Sequence, residues 1–136
     1  EMEYETNVPY PVVIIHVPET IPQLAIGEPY VAEITLENKG LVALQDVHLS
    51  LDDPMNILEQ AGYEYEQLSS DIKILPALSS ETVFVRFTKS TPTKNEGVQL
   101  FDALDVIEKI EKDFRIISRR RIFHAKRRGY PAILLS

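Results

Sequence analysis

Alternation of apolar and polar residues is clearest over Tyr30–Glu37. Ala32, Ile34 and Leu36 fall on one side, and Glu33, Thr35 and Glu37 on the other. A period of two is that of a strand with one buried and one wet face, because successive side chains of extended backbone point to opposite sides. Val47, Leu49 and Leu51 alternate in the same way with Asp46, His48 and Ser50, and Val83, Val85 and Phe87 mark a third such segment over 81–87. Val12 to Val17 is a β-branched run broken only by His16, which predicts a strand buried on much of both faces between Pro11 and Pro18. Tyr63–Leu68 and Ile72–Leu75 are shorter strand candidates.

Turn residues punctuate these segments. Pro18, Pro22 and Pro29 disfavour helix over 18–29, and Ile26-Gly27-Glu28-Pro29 reads as a turn into the next strand. Asn38-Lys39-Gly40 has the residue types that accept positive φ, so it reads as a hairpin turn. The strands on either side of it are therefore expected to pair antiparallel. Asp52-Asp53-Pro54 ends the second of them. Met55–Gly62 then reads as one or two helical turns closed by Gly62, or as a plain loop. Pro76–Ser80 is a further turn.

The period changes after Asn95. Phe101, Leu104, Ile107, Ile110, Phe114 and Ile117 recur at steps of three and four, the stripe of an amphipathic helix. Thr93 and Glu96 have capping-box spacing, and Asp105–Lys109, Glu108–Lys112, Lys109–Asp113 and Glu111–Arg115 are oppositely charged at four-residue spacing. A helix over about 96–117 is predicted. Beyond it, Arg121–Ala125 and Ala132–Leu135 are strand candidates, at least one of which is expected to complete a sheet. The expected fold is mainly β, an antiparallel β-sandwich with one appended C-terminal amphipathic α-helix. Residues 1–10 read as a linker and 11–136 as a single domain. Its sandwich core is expected over 11–88, with a basic tail and final strand over 118–136.

Composition narrows the chemistry. The 136 residues include no cysteine, which excludes disulfides, thiolate catalysis and thiolate metal sites. No apolar run reaches the ~18 residues of a membrane-spanning helix. The opening on Glu1, with no leader segment in view, fits a piece of a longer polypeptide. The net charge of −7 conceals a division. Residues 1–114 carry 21 acids and 7 bases, a charge of −14, whereas 115–136 carry 7 bases and no acid. Such a basic segment either neutralises the acidic body to which it is tethered or seeks an external polyanion.

Three stretches together carry a likeness. Ala25-Ile26-Gly27-Glu28 precedes a strand; Ile34-Thr35-Leu36-Glu37-Asn38-Lys39-Gly40 leads to Leu44-Gln45-Asp46-Val47-His48-Leu49-Ser50-Leu51; and Ile74-Leu75-Pro76-Ala77-Leu78-Ser79-Ser80-Glu81-Thr82-Val83-Phe84-Val85 closes the pattern. Over roughly residues 11–88 the chain resembles the prokaryotic immunoglobulin-like repeats of large secreted or cell-surface proteins, the CARDB-like group. That resemblance implies an immunoglobulin-like sandwich acting as a spacer or an adhesion surface, with no catalytic residues to carry over. The helix over 96–117 is foreign to the repeat.

Each catalytic or ligand-binding pattern in the chain competes with a plain structural role. His16 and His48 on neighbouring strands, with a carboxylate, would suit zinc. Solvated or packed histidines are the simpler expectation, and His124 stands apart in the basic segment. Asp52, Asp53 and Asn56 offer oxygens to calcium, but a turn and a helix cap account for them as well. Ser69-Ser70-Asp71 and Ser79-Ser80-Glu81 lie in turns without a nucleophile elbow or a phosphate-binding glycine loop. No catalytic residue, cofactor or metal is expected.

The remaining signal is Arg119, Arg120, Arg121, Phe123, Lys126, Arg127 and Arg128, where Phe123 and Tyr130 stand ready to stack on bases while the arginines meet phosphate. The plain alternative is a strand whose arginines cover the acidic body. The function expected is that of a non-enzymatic structural or interaction module in a larger extracellular or cell-surface protein. Its partners would be neighbouring domains of the same polypeptide or another protein. The alternative is binding of a polyanion, nucleic acid or anionic membrane, through 115–128.

Overall fold

The computed structural model describes residues 12–18, 24–54, 56–92, 110–119, 121–125 and 131–134. Among them the chain is mainly β. The strands are β1 (Val13–His16), β2 (Pro29–Asn38), β3 (Leu44–Leu51), β4 (Tyr63–Gln67), β5 (Ile72–Leu75), β6 (Ser79–Lys89), β7 (Phe114–Ser118), β8 (Arg121–His124) and β9 (Ile133–Leu134). A short α-helix, α1 (Ile57–Ala61), lies between β3 and β4, and a single 3-10 turn over Glu111–Asp113 precedes β7. The strands form two antiparallel sheets, a four-stranded one in the order β1-β2-β6-β4 and a five-stranded one in the order β5-β3-β7-β8-β9.

Both sheets bury alternate residues in one shared core. Ala32, Ile34, Leu36, Val83, Val85 and Phe87 come from the first sheet, and Val47, Leu49, Leu75, Phe114, Ile116 and Phe123 from the second. The inward assignments read from alternation therefore hold for β2 and β6, and for Val47 and Leu49 of β3. Leu51 is only half-buried.

The expected hairpin of β2 with β3 does not form. β2 instead pairs with β6 over ten positions, from Pro29↔Thr88 to Asn38↔Ser79, and with β1 on its other side. β3 pairs with β5 and β7 in the opposite sheet. Residues 39–43 thus carry the chain from one sheet to the other. The physical reason is the buried Asn38 side chain. Its amide donates to the carbonyls of Val42 (2.9 Å), Leu75 (3.1 Å) and Pro76 (3.2 Å), and its Oδ1 accepts from the Gly40 N–H at 2.9 Å. These bonds pin the end of β2 against the end of β5, in the other sheet.

The helix expected over 96–117 is corrected at its end: a helical turn over 110–113 gives way to a strand at Phe114. Phe114–Ser118 is a strand, with Phe114, Ile116 and Ser118 buried and Arg115 and Ile117 turned outward. Residues 93–109 lie outside the described residues. The helical stripe selects Ile117 and passes over Ile116, yet Ile116 is the fully buried one. β3 decides the matter: its free backbone groups pair with β7 from Val47↔Ser118 to Leu51↔Phe114. Both late strand candidates join the same sheet, since β8 pairs with β7 and β9 with β8. The core consequently takes in Ile110, Phe114, Ile116 and Phe123, beyond the stretch expected to hold it.

Chain segments cross both lateral margins between the sheets. Ala132 N–H donates to Val13 O at 2.6 Å, and Pro131 bridges Ile14, tying the approach to β9 onto β1. On the other side Leu68 N–H donates to Phe84 O at 2.8 Å before the chain passes over to β5. Among the described residues no helix is long and apolar enough to cross a membrane.

Candidate interaction surface

Strand polarity sorts the connections into two ends. Among the described residues the first holds loop 39–43, loop 76–78 and the turn at Arg119; the second holds 24–28, 52–54, 56–62, 89–92 and 110–113.

At the first end the core is closed by the Asn38 clamp, and two apolar side chains are left outside it. Leu41 is 72% exposed and Leu78 is 70% exposed. Leu78 also holds φ at +60°. For a residue with a β-carbon this left-handed conformation costs ~1–2 kcal/mol. The turn is fixed around it by Ser79 Oγ, which donates to Pro76 O at 2.7 Å. Lys39 is exposed beside this turn, and Arg119 and Arg121 border an open depression that Val42, Leu44, Gln45 and Ser118 also line. Ser118 Oγ donates to Gln45 O at 2.6 Å, holding the end of β7 to the start of β3.

The basic residues singled out in the sequence separate into distinct roles. Arg119 takes φ of +54° in the β7–β8 turn, and its Nε donates to Asp46 Oδ2 at 3.0 Å. Arg121 is exposed at the start of β8. Phe123 is 1% exposed and belongs to the core. Its ring is unavailable for base stacking because β8 turns that position inward, opposite Ile116 of β7. Arg120, Lys126, Arg127, Arg128 and Tyr130 lie outside the described residues.

The second end is closed differently. Ile57, Leu58 and Ala61 of α1, together with Ile110, plug the core with apolar side chains. Asp53 caps α1, accepting from the Ile57 and Leu58 N–H groups at 2.9 Å each. The cap expected of Asp52, Asp53 and Asn56 is thus supplied by Asp53. Gly62 ends the helix at φ +84°, and a β-carbon there would stand 1.9 Å from Thr91 O. Lys89 Nζ donates to Ala61 O at 2.5 Å and lies 5.1 Å from the Tyr63 ring centroid. Burial lowers its ammonium pKa from the ordinary lysine value. Asp113 is shifted the other way. Burial raises its carboxyl pKa, and the nearby charges of Asp53 and Asp52 raise it further.

The other polar candidates have structural partners. His16 Nε2 meets Glu37 Oε1 at 2.8 Å and His48 Nδ1 meets Asp71 Oδ1 at 2.8 Å, both pairs exposed. The two histidines stand on different sheets, so they do not share the zinc site considered from sequence. Among the described residues no three His, Asp or Glu side chains converge as a metal site. Ser69 Oγ accepts from the Phe84 N–H at 2.8 Å, fastening its loop to β6.

Sequence reasoning missed Leu41, Leu78 and the Asn38 clamp. Asn-x-Gly signals a turn but not which sheet the outgoing strand joins, and two isolated leucines in loops carry no periodicity. No family model, curated protein or solved structure matches the chain.

Proposed function

We propose that this chain is a non-enzymatic structural or interaction module, an immunoglobulin-like sandwich within a larger extracellular or cell-surface protein. The observation that carries the reading is the integration of the basic hairpin into the body. Phe114, Ile116 and Phe123 sit in the core while Arg119 reaches across to Asp46 on β3. A hairpin anchored in this way offers its cations from a rigid frame and spends one of them on the acidic body. The sandwich-like pair of sheets fits the immunoglobulin-like likeness, and its loop-bearing ends are where such a frame meets neighbours.

The alternative is a polyanion-binding domain using 115–128. Exposed Arg121 favours it; the burial of Phe123 weighs against a base-stacking version. A salt titration against heparin, single-stranded DNA and anionic vesicles separates the two. The module reading predicts no measurable binding at low salt. Binding through about five phosphate contacts, with a log–log salt slope near −3.5 on single strands, replaces it with the alternative.

A further inference from the structure

We infer that the outward face of the four-stranded sheet is a contact surface for an extended cationic segment of a neighbouring domain or protein, with arginine or lysine two residues from an apolar side chain. This rests on the module reading above and names the chemistry of its partner. β2 and β6 turn Ala32, Ile34, Val83 and Val85 into the core, so Val31, Glu33, Phe84 and Arg86 face outward. Val31, Phe84 and Leu68 are 41–48% exposed. Strand register places these three on neighbouring strands. Glu33 stands opposite Phe84, and Val31 stands opposite Arg86, diagonal to Phe84. On the other side Leu68 N–H donates to Phe84 O at 2.8 Å. Single exposed apolar residues are ordinary, but three that adjoin across adjacent strands form a patch, and a patch rimmed by polar groups marks an interaction site.

Charge selects the partner. Glu64 and Glu66 of β4 stand opposite Thr88 and Arg86 on one flank of the patch, and Glu33 of β2 lies on the other. Arg86 pairs with Glu66, and His16 with Glu37. Glu33 and Glu64 are exposed and have no counter-charge among the described residues. Apolar side chains between unneutralised carboxylates repel nucleic acid and anionic membrane, and attract a cation that brings apolar surface with it. Alternate side chains of an extended segment repeat at roughly 6.6 Å, which is also the step from Val31 to Glu33 along β2. One strand-like partner thus sets an apolar side chain against Val31 and Phe84 and, two residues on, a guanidinium against Glu33. A guanidinium meets a carboxylate with two parallel hydrogen bonds.

The test is an NMR titration of the whole chain with the peptide acetyl-Arg-Ser-Phe-Ser-Arg-amide. Amide shifts should saturate, centre on Val31, Glu33, Leu68 and Phe84, and weaken at high salt. Glu33→Gln/Glu64→Gln, which touches no core residue, should weaken binding about fivefold with the melting temperature unchanged. Phe84→Thr should weaken it about as much, and so should serine in place of the phenylalanine of the peptide. Absence of saturable shifts overturns the inference. So do shifts centred on Asp52 and Glu59, or equal binding of the serine peptide, since either means charge attraction without this face. Self-association of the chain that is lost in Phe84→Thr would assign the face to a second copy, and shifts at Val31 and Phe84 caused by Arg127→Glu/Arg128→Glu alone would assign it to the chain's own basic segment; both overturn it. The module reading survives each of these results, and only the polyanion titration removes it.

Discussion

The two ends of this protein solve one problem, closing a core between two sheets, by opposite means. At the α1 end the opening is plugged with apolar side chains, Ile57, Leu58, Ala61 and Ile110, and backbone is brought so close that Gly62 has room for no side chain. At the other end a single buried asparagine clamps three carbonyls from two segments, and apolar side chains are left in water. A plug depends on shape and area, and a clamp on hydrogen bonds that have no substitute once water is excluded. The comparison separates the side chains that each end needs for stability from those it leaves exposed.

Substitutions at the two ends sharpen that contrast. Gly62→Ala should be the most damaging, lowering stability by about 3 kcal/mol or more in urea unfolding, since strain at positive φ adds to the clash with Thr91. Asn38→Ala should cost about 2–3 kcal/mol by the same measurement, because the buried Leu75 carbonyl loses a donor that bulk water cannot replace, whereas Pro76 O keeps Ser79 Oγ. If Asn38→Ala proves nearly neutral, the clamp description fails and the ends are not closed differently.

Leu78→Asn should act in the opposite direction. An exposed leucine at φ +60° contributes strain without core burial, so a residue that accepts the left-handed region should raise stability by about 0.5 kcal/mol. Loss of stability would place Leu78 in the core after all. The smallest effect is expected from Asp113. Its folded carboxyl pKa is raised, so as pH climbs above the ordinary carboxylate value the unfolded chain ionises first and stability falls. The loss is complete once pH exceeds the raised value and persists at neutral pH. Asp113→Asn should flatten that segment of the Tm–pH profile and slightly raise Tm at pH 7, with exposure to solvent keeping the change small.

The strands most easily read in the sequence are those whose alternation is strict and long. Ala32, Ile34 and Leu36 of β2 and Val83, Val85 and Phe87 of β6 point inward as their period requires. The helical turns before Gly62 were legible too, because a glycine at a helix C-terminus has a local cause. Strand partners were not. β2 and β3 are consecutive and separated by only a short Asn-Lys-Gly-led loop, yet they join different sheets, β2 between β1 and β6 and β3 between β5 and β7. Phe114 satisfies a period of two and a period of 3.6 equally, and Arg115-Ile116-Ile117 supplies an apolar residue to either. Only the open edge of β3 chooses between them.

The candidate surface was partly visible through charge. The basic segment stands out, and Arg119 and Arg121 are exposed as a charged surface demands. Phe123 reads as a surface aromatic because three bases on each side dominate its neighbourhood, and its inward direction follows from the pairing of β8 with β7. Leu41 and Leu78 left no mark in the pattern, since an exposed leucine and a buried one are spelled alike.

The anchoring of the basic hairpin depends on β7 and β8 being part of the folded sheet. Amide hydrogen exchange under native conditions tests this directly. The amides of Ile116 and Phe123 should be as strongly protected as those of Ile34 and Val85 in the central strands of the other sheet, exchanging only through global opening. Exchange of 114–124 within the dead time, with β2 and β6 still protected, would mean a basic tail detached from the body and would contradict the account.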